Sequence, residues 1–324
     1  MNFATRGLLA ACAALWLGAA VAQQSTYPTK SIRLIVAFQQ GESADVLARA
    51  MVPLLSERLR QQVVIENRPG MNGSMGIETV AKSAPDGYTI GLGGAGALAT
   101  NASLYPKMPY DPVKDLAPVT SIASFPFLLI ANPKLPAATL ADVIALARAK
   151  PGELLIGFGG NGTMSHLAVE LFKLMARVQM VNVPYKSDAA AATDAVNGKL
   201  QLALVEVGAA LPSVKAGKLK AIAVTNPKRV FALPDAPTFA EAGLPGFAAT
   251  DWLGIVVPAA TPDAIVARLN ADFVATMKRA EVRDRIIAAG AEPVASSAVG
   301  LGALIGAEVV KWSEVVQISG ARAD

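Results

Sequence analysis

Twice in this chain an apolar strand runs through a glycine-bearing turn straight into a helix with one apolar face, and that unit constrains the fold more than any other feature. In the first, Ile32-Arg-Leu-Ile-Val-Ala-Phe38 is followed by Gln39-Gln-Gly-Glu-Ser-Ala-Asp45 and by a helix whose stripe is Leu47, Met51, Leu54, Leu55 and Leu59. In the second, Gly157-Phe-Gly-Gly-Asn-Gly-Thr-Met-Ser-His-Leu-Ala168 opens a helix with Met164, Leu167, Ala168, Leu171, Phe172 and Met175 on one face. Ser43 and Thr163 are the predicted N-caps, and Asp45 falls in the first turn, where its charge complements the helix dipole. Pro53 is expected to kink the first helix or to shift its start. Strand-like and helix-period segments alternate through the rest of the chain, which predicts α/β layers with mainly parallel sheets.

Turns of this kind suit anions. Glycine lets backbone approach a ligand closely, and the first turn of a helix presents unpaired N–H groups at the positive end of the dipole. Two such units far apart in sequence predict two walls of one cleft. The segments Ser124–Asn132 and Thr250–Pro258 are extended and hold or end on proline, so they are expected to cross between lobes. The expected organisation is lobe 1 from 23–124 and 251–324, with lobe 2, 125–250, inserted.

The first 22 residues read as a signal peptide: Arg6 is a positive start, Gly7 to Ala19 an apolar core, and Ala20-Val-Ala22 a cleavage site. Export to a periplasm follows as the expectation. Cys12 is the single cysteine, so a mature chain beginning at Gln23 has no disulfide, thiol nucleophile or cysteine metal ligand. Without Arg6 the balance is 28 basic to 25 acidic residues, spread along the chain, which argues against nucleic acid as a partner.

Three other chemistries have partial signals in the residues. Gly91-Leu-Gly-Gly-Ala-Gly96 fits the dinucleotide pattern, but Pro106, Pro109 and Pro112 break the region where the acidic end of a second strand is needed, so no cofactor is expected. Ser165 and His166, the single histidine, invite a hydrolase; adjacent helical residues diverge, however, and no G-x-S-x-G elbow is present. One histidine leaves little for a transition metal. Asp188 and Glu206 are either binding residues or solvated acids.

Many short motifs in one order carry a resemblance. They are Tyr27-Pro-Thr-Lys-Ser-Ile-Arg-Leu-Ile-Val36, Val64-Ile-Glu-Asn-Arg-Pro-Gly70, Ala84-Pro-Asp-Gly-Tyr-Thr89 and Leu104-Tyr-Pro-Lys-Met-Pro-Tyr-Asp-Pro112. Further on come Gly160-Asn-Gly-Thr-Met-Ser-His-Leu-Ala168, Val183-Pro-Tyr-Lys186, Ala216-Gly-Lys-Leu219 and Leu233-Pro-Asp-Ala-Pro-Thr238. Together they resemble the Bug-type solute receptors of the tripartite tricarboxylate transporter system.

The resemblance implies a type II periplasmic binding protein, two α/β lobes closing like a Venus flytrap on a small organic carboxylate, without catalysis or cofactor, and delivering it to the membrane subunits of the transporter. A receptor presenting its ligand to a sensor histidine kinase and an exported hydrolase are the two other classes left open. Carried onto this chain, the ligand loops imply Phe38, Gly41, Glu42, Ser43, Asp45, Gly94 and Ala95 from the first lobe. From the second they imply Gly160, Asn161, Thr163, Ser165, His166, Ser187, Asp188 and Glu206.

Departures from the family pattern matter here. Gln39-Gln-Gly-Glu42 stands where Pro-Pro-Gly-Gly is usual, and Met164 stands where proline is common. If Glu42 faces the cleft it repels a carboxylate; if it points outward it changes nothing. The expected ligand has one carboxylate and a second group that is not strongly anionic.

Overall fold

The computed structural model describes residues 27–323; the leader, its cleavage after Ala22 and Cys12 lie outside the described residues. The first unit forms as strand β1 (Ile32–Val36) and helix α1 (Ser43–Leu59), which buries Leu47, Ala48, Met51, Leu55 and Leu59 at helical spacing. Pro53 lies inside α1 without ending it. The N-cap is Glu42 rather than Ser43, and its side chain makes no capping bond. Strand β2 (Val63–Asn67), helix α2 (Ser74–Ala81) and strand β3 (Thr89–Gly94) complete a parallel group in which β1 lies between β2 and β3. A π-helical turn, Gly96–Thr100, and the short helix α3 (Asn101–Leu104) follow β3.

Strand β4 (Leu116–Ala131) is sixteen residues long and joins two halves of the sheet. Its Leu116–Pro126 part pairs antiparallel with β9 (Thr250–Pro258), which in turn pairs with β3. Its Phe127–Ala131 part pairs with β7 (Leu202–Glu206), and β8 (Lys220–Val224) also pairs with this end. Beyond β7 lie the parallel strands β5 (Leu155–Phe158) and β6 (Val181–Pro184). Parallel pairing thus occupies the two flanks, β2-β1-β3 and β7-β5-β6, and antiparallel pairing the middle. Strand β10 (Glu292–Pro293) also pairs with β4.

The remaining helices are α4 (Leu140–Ala149), α5 (Met164–Ala176), α6 (Asp188–Val196), α7 (Val207–Lys215), α8 (Asp263–Met277), α9 (Ala280–Ala288) and α10 (Ala298–Ser319). Local chemistry starts several of them: the Thr163, Ser187 and Ser297 side chains accept from Ala/Gly/His backbone N–H groups three residues on, and Thr139 with Asp142 forms a full capping box. Helix α8 begins after Pro262 as N-cap. Helix α10 ends at Gly320 in the left-handed conformation.

Phe158, Phe172, Phe239 and Phe247 are buried in one apolar core, where Phe239 stacks on Phe247 with ring centroids 4.1 Å apart. Trp312 of α10 is buried in the same core and donates its indole N–H to Glu308. Because α10 packs on β4, on the π-helical turn and on α5, it touches both flanks of the sheet.

Candidate functional site

A cavity of about 580 Å³ lies where the carboxyl ends of six strands converge. Ser43 follows β1, Asn72 follows β2 and Gly96 follows β3; Gly159 with Thr163, Met164 and Ser165 follows β5, Ser187 with Asp188 and Ala189 follows β6, and Glu206 with Gly208 and Ala209 ends β7. Phe127, Asp251, Ala288 and Ala289 complete the lining. Open α/β sheets place ligands outside the carboxyl ends of their strands because helix N-termini collect there, and here α1, the π-helical turn, α5, α6 and α7 all begin at the cavity.

The loops are held by their own polar contacts. Buried Asn101 donates to Ser74 Oγ at 2.7 Å and to the carbonyls of Met71 and Asn72, and Asn72 donates to Asn101 Oδ1. In the second flank Thr163 Oγ1 donates to the Gly160 carbonyl at 2.7 Å, and Gly159 N–H donates to Ser165 Oγ at 2.9 Å. Ser165 Oγ in turn donates to Asp188 Oδ1 at 3.0 Å, while Asp188 Oδ2 accepts the Glu206 N–H at 2.8 Å. A Cβ at Gly159 would stand 2.3 Å from Asp188 Oδ1, so glycine is what lets this carboxylate close on the loop.

Three carboxyl groups face the cavity. Burial pushes Asp188 up to about 6, against the hydrogen bonds it accepts from Glu206, Ser165 and Gly159. Burial also pushes Asp251 up to about 6, although its Oδ1 accepts the N–H groups of Trp252 at 2.7 Å and Ala95 at 3.3 Å. Glu206 rises to about 8 because it is enclosed and then because Asp188 and Asp251 are near. All three are open to the cavity and otherwise surrounded by protein.

The sequence-predicted residues divide by placement. Ser43, Thr163, Ser165, Ser187, Asp188 and Glu206 line the cavity. Glu42 is exposed and, like Gly41 and Asn161, outside the lining; of the acids expected there, Asp188 and Glu206 reach the cavity and Glu42 and Asp45 do not. Gly41 donates its N–H to Asp45, which is buried and turned inward to Arg49 and Asn67. Burial alone would raise the Asp45 carboxyl, but Arg49, the Gly41 N–H and Asn67 hold it down at about 2. Phe38 packs over Gly94, and Phe38, Gly94, Ala95 and Gly160 are outside the lining.

His166 is buried, stacks on Phe158 at 4.6 Å and accepts the Gly162 N–H on Nδ1 at 3.1 Å. Its burial lowers its pKa, and Ser165 points to Asp188 rather than to the imidazole, so the pair has the geometry of a braced loop and not of a nucleophile with its base. Asp251, Asn72 and Gly208 were not singled out as site residues in the sequence. A lone acid inside the apolar run Thr250–Pro258 was the available signal for Asp251, because a carboxyl in a buried strand needs a reason to be there.

The chain matches the family model described as "Tripartite tricarboxylate transporter family receptor" over residues 47–321. It is 35% identical to Protein BugT of Bordetella pertussis over 305 residues, covering 94% of either chain. Among solved structures it is similar to R. palustris Rpa4515 with adipate, at 37% identity and a TM-score of 0.76, covering 91% of this chain and 99% of that one. MatC from Rhodopseudomonas palustris with bound malate gives 30% identity and a TM-score of 0.72, covering 90% and 100%. Fold and sequence agree: this chain belongs to the TctC family of tripartite tricarboxylate transporter receptors, the periplasmic binding proteins of the Bug type.

Proposed function

We propose that this protein is a periplasmic receptor that captures a small carboxylate in the cavity at the six strand ends and delivers it to the membrane subunits of a tripartite tricarboxylate transporter, with no catalytic step. The observation that carries this reading is the convergence of five helix N-termini on one cavity without a Ser–His pair to turn a ligand over. N–H groups at helix starts, with Ser43, Thr163 and Ser187 hydroxyls beside them, hold a carboxylate by dipoles rather than by a fixed cation. Relatives solved with adipate and with malate support the ligand class. No helix among the described residues is long and apolar enough to cross a membrane.

On this reading the two flanks of the sheet are two lobes, 23–124 with 251–324 and 125–250, and the hinge is where β4 and β9 pass from one to the other. Thermal melting of the protein, after unfolding and refolding to strip co-purified ligand, tests it against aliphatic and aromatic carboxylates, hydroxy acids and amino acids. A ligand at 100 times its Kd adds about 2.7 kcal/mol to the folded state and raises Tm by several degrees. Absence of any selective shift, or turnover of the bound compound, counts against the proposal.

A further inference from the structure

We infer that the solute this cavity selects carries an ammonium group as well as a carboxylate, with the ammonium seated among Asp188, Glu206 and Asp251. The inference rests on the cavity being the ligand site and names which carboxylates it takes. Other buried acids in this protein have cations: Asp45 has Arg49, Glu170 has Lys173, Asp272 has Arg58 and Arg268, and Glu308 has Lys311. Asp188, Glu206 and Asp251 have none among the described residues, and no Lys, Arg or His lines the cavity. Three carboxyls from α6, the end of β7 and β9 thus share one enclosure with no positive side chain.

Their hydrogen bonds leave a defined gap. Both oxygens of Asp188 accept, one from Ser165 and one from the Glu206 N–H. Asp251 spends one oxygen, Oδ1, on the Ala95 and Trp252 N–H groups. For the Glu206 carboxyl there is no hydrogen-bond or ion-pair partner among the described residues, although protein encloses it on every side but the cavity. A buried acceptor without a donor is costly, and a compact donor with three protons, such as –NH₃⁺, satisfies Glu206 together with the second oxygen of Asp251. The three acids are not placed to hold a metal ion. A dicarboxylate would instead bring a fourth carboxyl into the same enclosure, where like charges are poorly screened.

The test is calorimetric titration of the intact receptor near pH 7.5 with pairs of ligands that differ in one group: succinate against β-alanine, glutarate against 4-aminobutyrate, adipate against 5-aminopentanoate. The amine-bearing member is expected to bind at least tenfold tighter in at least one pair. Glu206→Gln combined with Asp188→Asn is expected to remove that preference. A second measurement needs no variant. Repeating the titration in buffers of different ionisation enthalpy counts protons: an ammonium among these carboxyls drives protons off, whereas a dianion draws protons on.

Equal or tighter binding of the dicarboxylate, or proton uptake with the amine, overturns the inference while leaving the receptor reading in place. Absence of binding by every member of all three pairs overturns the inference, and the receptor reading fails as well if the wider melting panel is also silent.

Discussion

Gly159 and Asp188 define each other. With 2.3 Å between a Cβ at 159 and Asp188 Oδ1, an alanine there must push the carboxylate off Ser165 or move the β5 loop, at a cost of about 1–3 kcal/mol. Gly159→Ala is therefore expected to lower Tm and to weaken ligand binding at least tenfold, read by melting and by titration; unchanged affinity would separate Asp188 from ligand binding. Asp45 is the contrasting acid. It is 1% exposed and bonded to Arg49, Asn67 and the Gly41 N–H, so Asp45→Asn is expected to cost about 2 kcal/mol, measured by urea unfolding, and to weaken binding only as far as the 39–45 loop loosens. The spacing of these residues placed both in helix-starting loops; which one faces the cavity was not written there. Asp45 turns inward because Arg49, one helical turn on, and Asn67, from the neighbouring strand, meet it there.

Helix starts are the elements that make the site, and one of them meets the opposite flank directly. Gly208, at the beginning of α7, lies against Ala289 and Gly290 just beyond α9: a Cβ at 208 would stand 2.5 Å from the Ala289 carbonyl oxygen, and one at 290 the same distance from Gly208 Cα. Gly290 also has φ +77°, which favours glycine on conformational grounds. This contact borders the cavity, so Gly208→Val is expected to wedge the two flanks apart, enlarging the radius of gyration of the liganded protein in solution scattering and lowering affinity. Unchanged scattering and affinity would show that the contact is incidental to closure. Thr163 belongs to the local side of the design: its hydroxyl accepts the His166 N–H, and Thr163→Ala is expected to cost about 1 kcal/mol of stability by denaturant titration. That cap was readable from sequence because capping is settled within four residues. The cap of α1 was not, since Glu42 takes the position without a side-chain bond, and only the path of the loop decides it.

At the scale of the molecule the cavity acids set a dependence on pH. Asp188, Glu206 and Asp251 hold protons to about 6, 8 and 6 in the native state, above the ordinary carboxylate range, so the folded chain binds more protons than the unfolded one between about pH 4 and 8. Stability contributed by these groups therefore falls as pH rises through that window; the charge of Glu308 on α10 adds a little to the rise at Asp251. Asp45, held at about 2, has the opposite sign, stabilising above about pH 4 and losing that contribution as pH drops toward 2. The ligand-free protein is expected to melt at a higher temperature near pH 5.5 than near pH 8.5, and Glu206→Gln is expected to flatten the upper part of that profile. A Tm that climbs across the same range would contradict the assignment. By itself the sequence determined the strand and helix units, the cap at Thr163, the apolar stripes and the family motifs, because each depends on neighbours within a few turns of chain. Tertiary structure alone decided that Asp188, Glu206 and Asp251 share one cavity, that Glu42 stays outside it and that His166 is spent on Phe158 and Gly162, because the direction of a side chain in a loop is set by packing between segments distant in sequence.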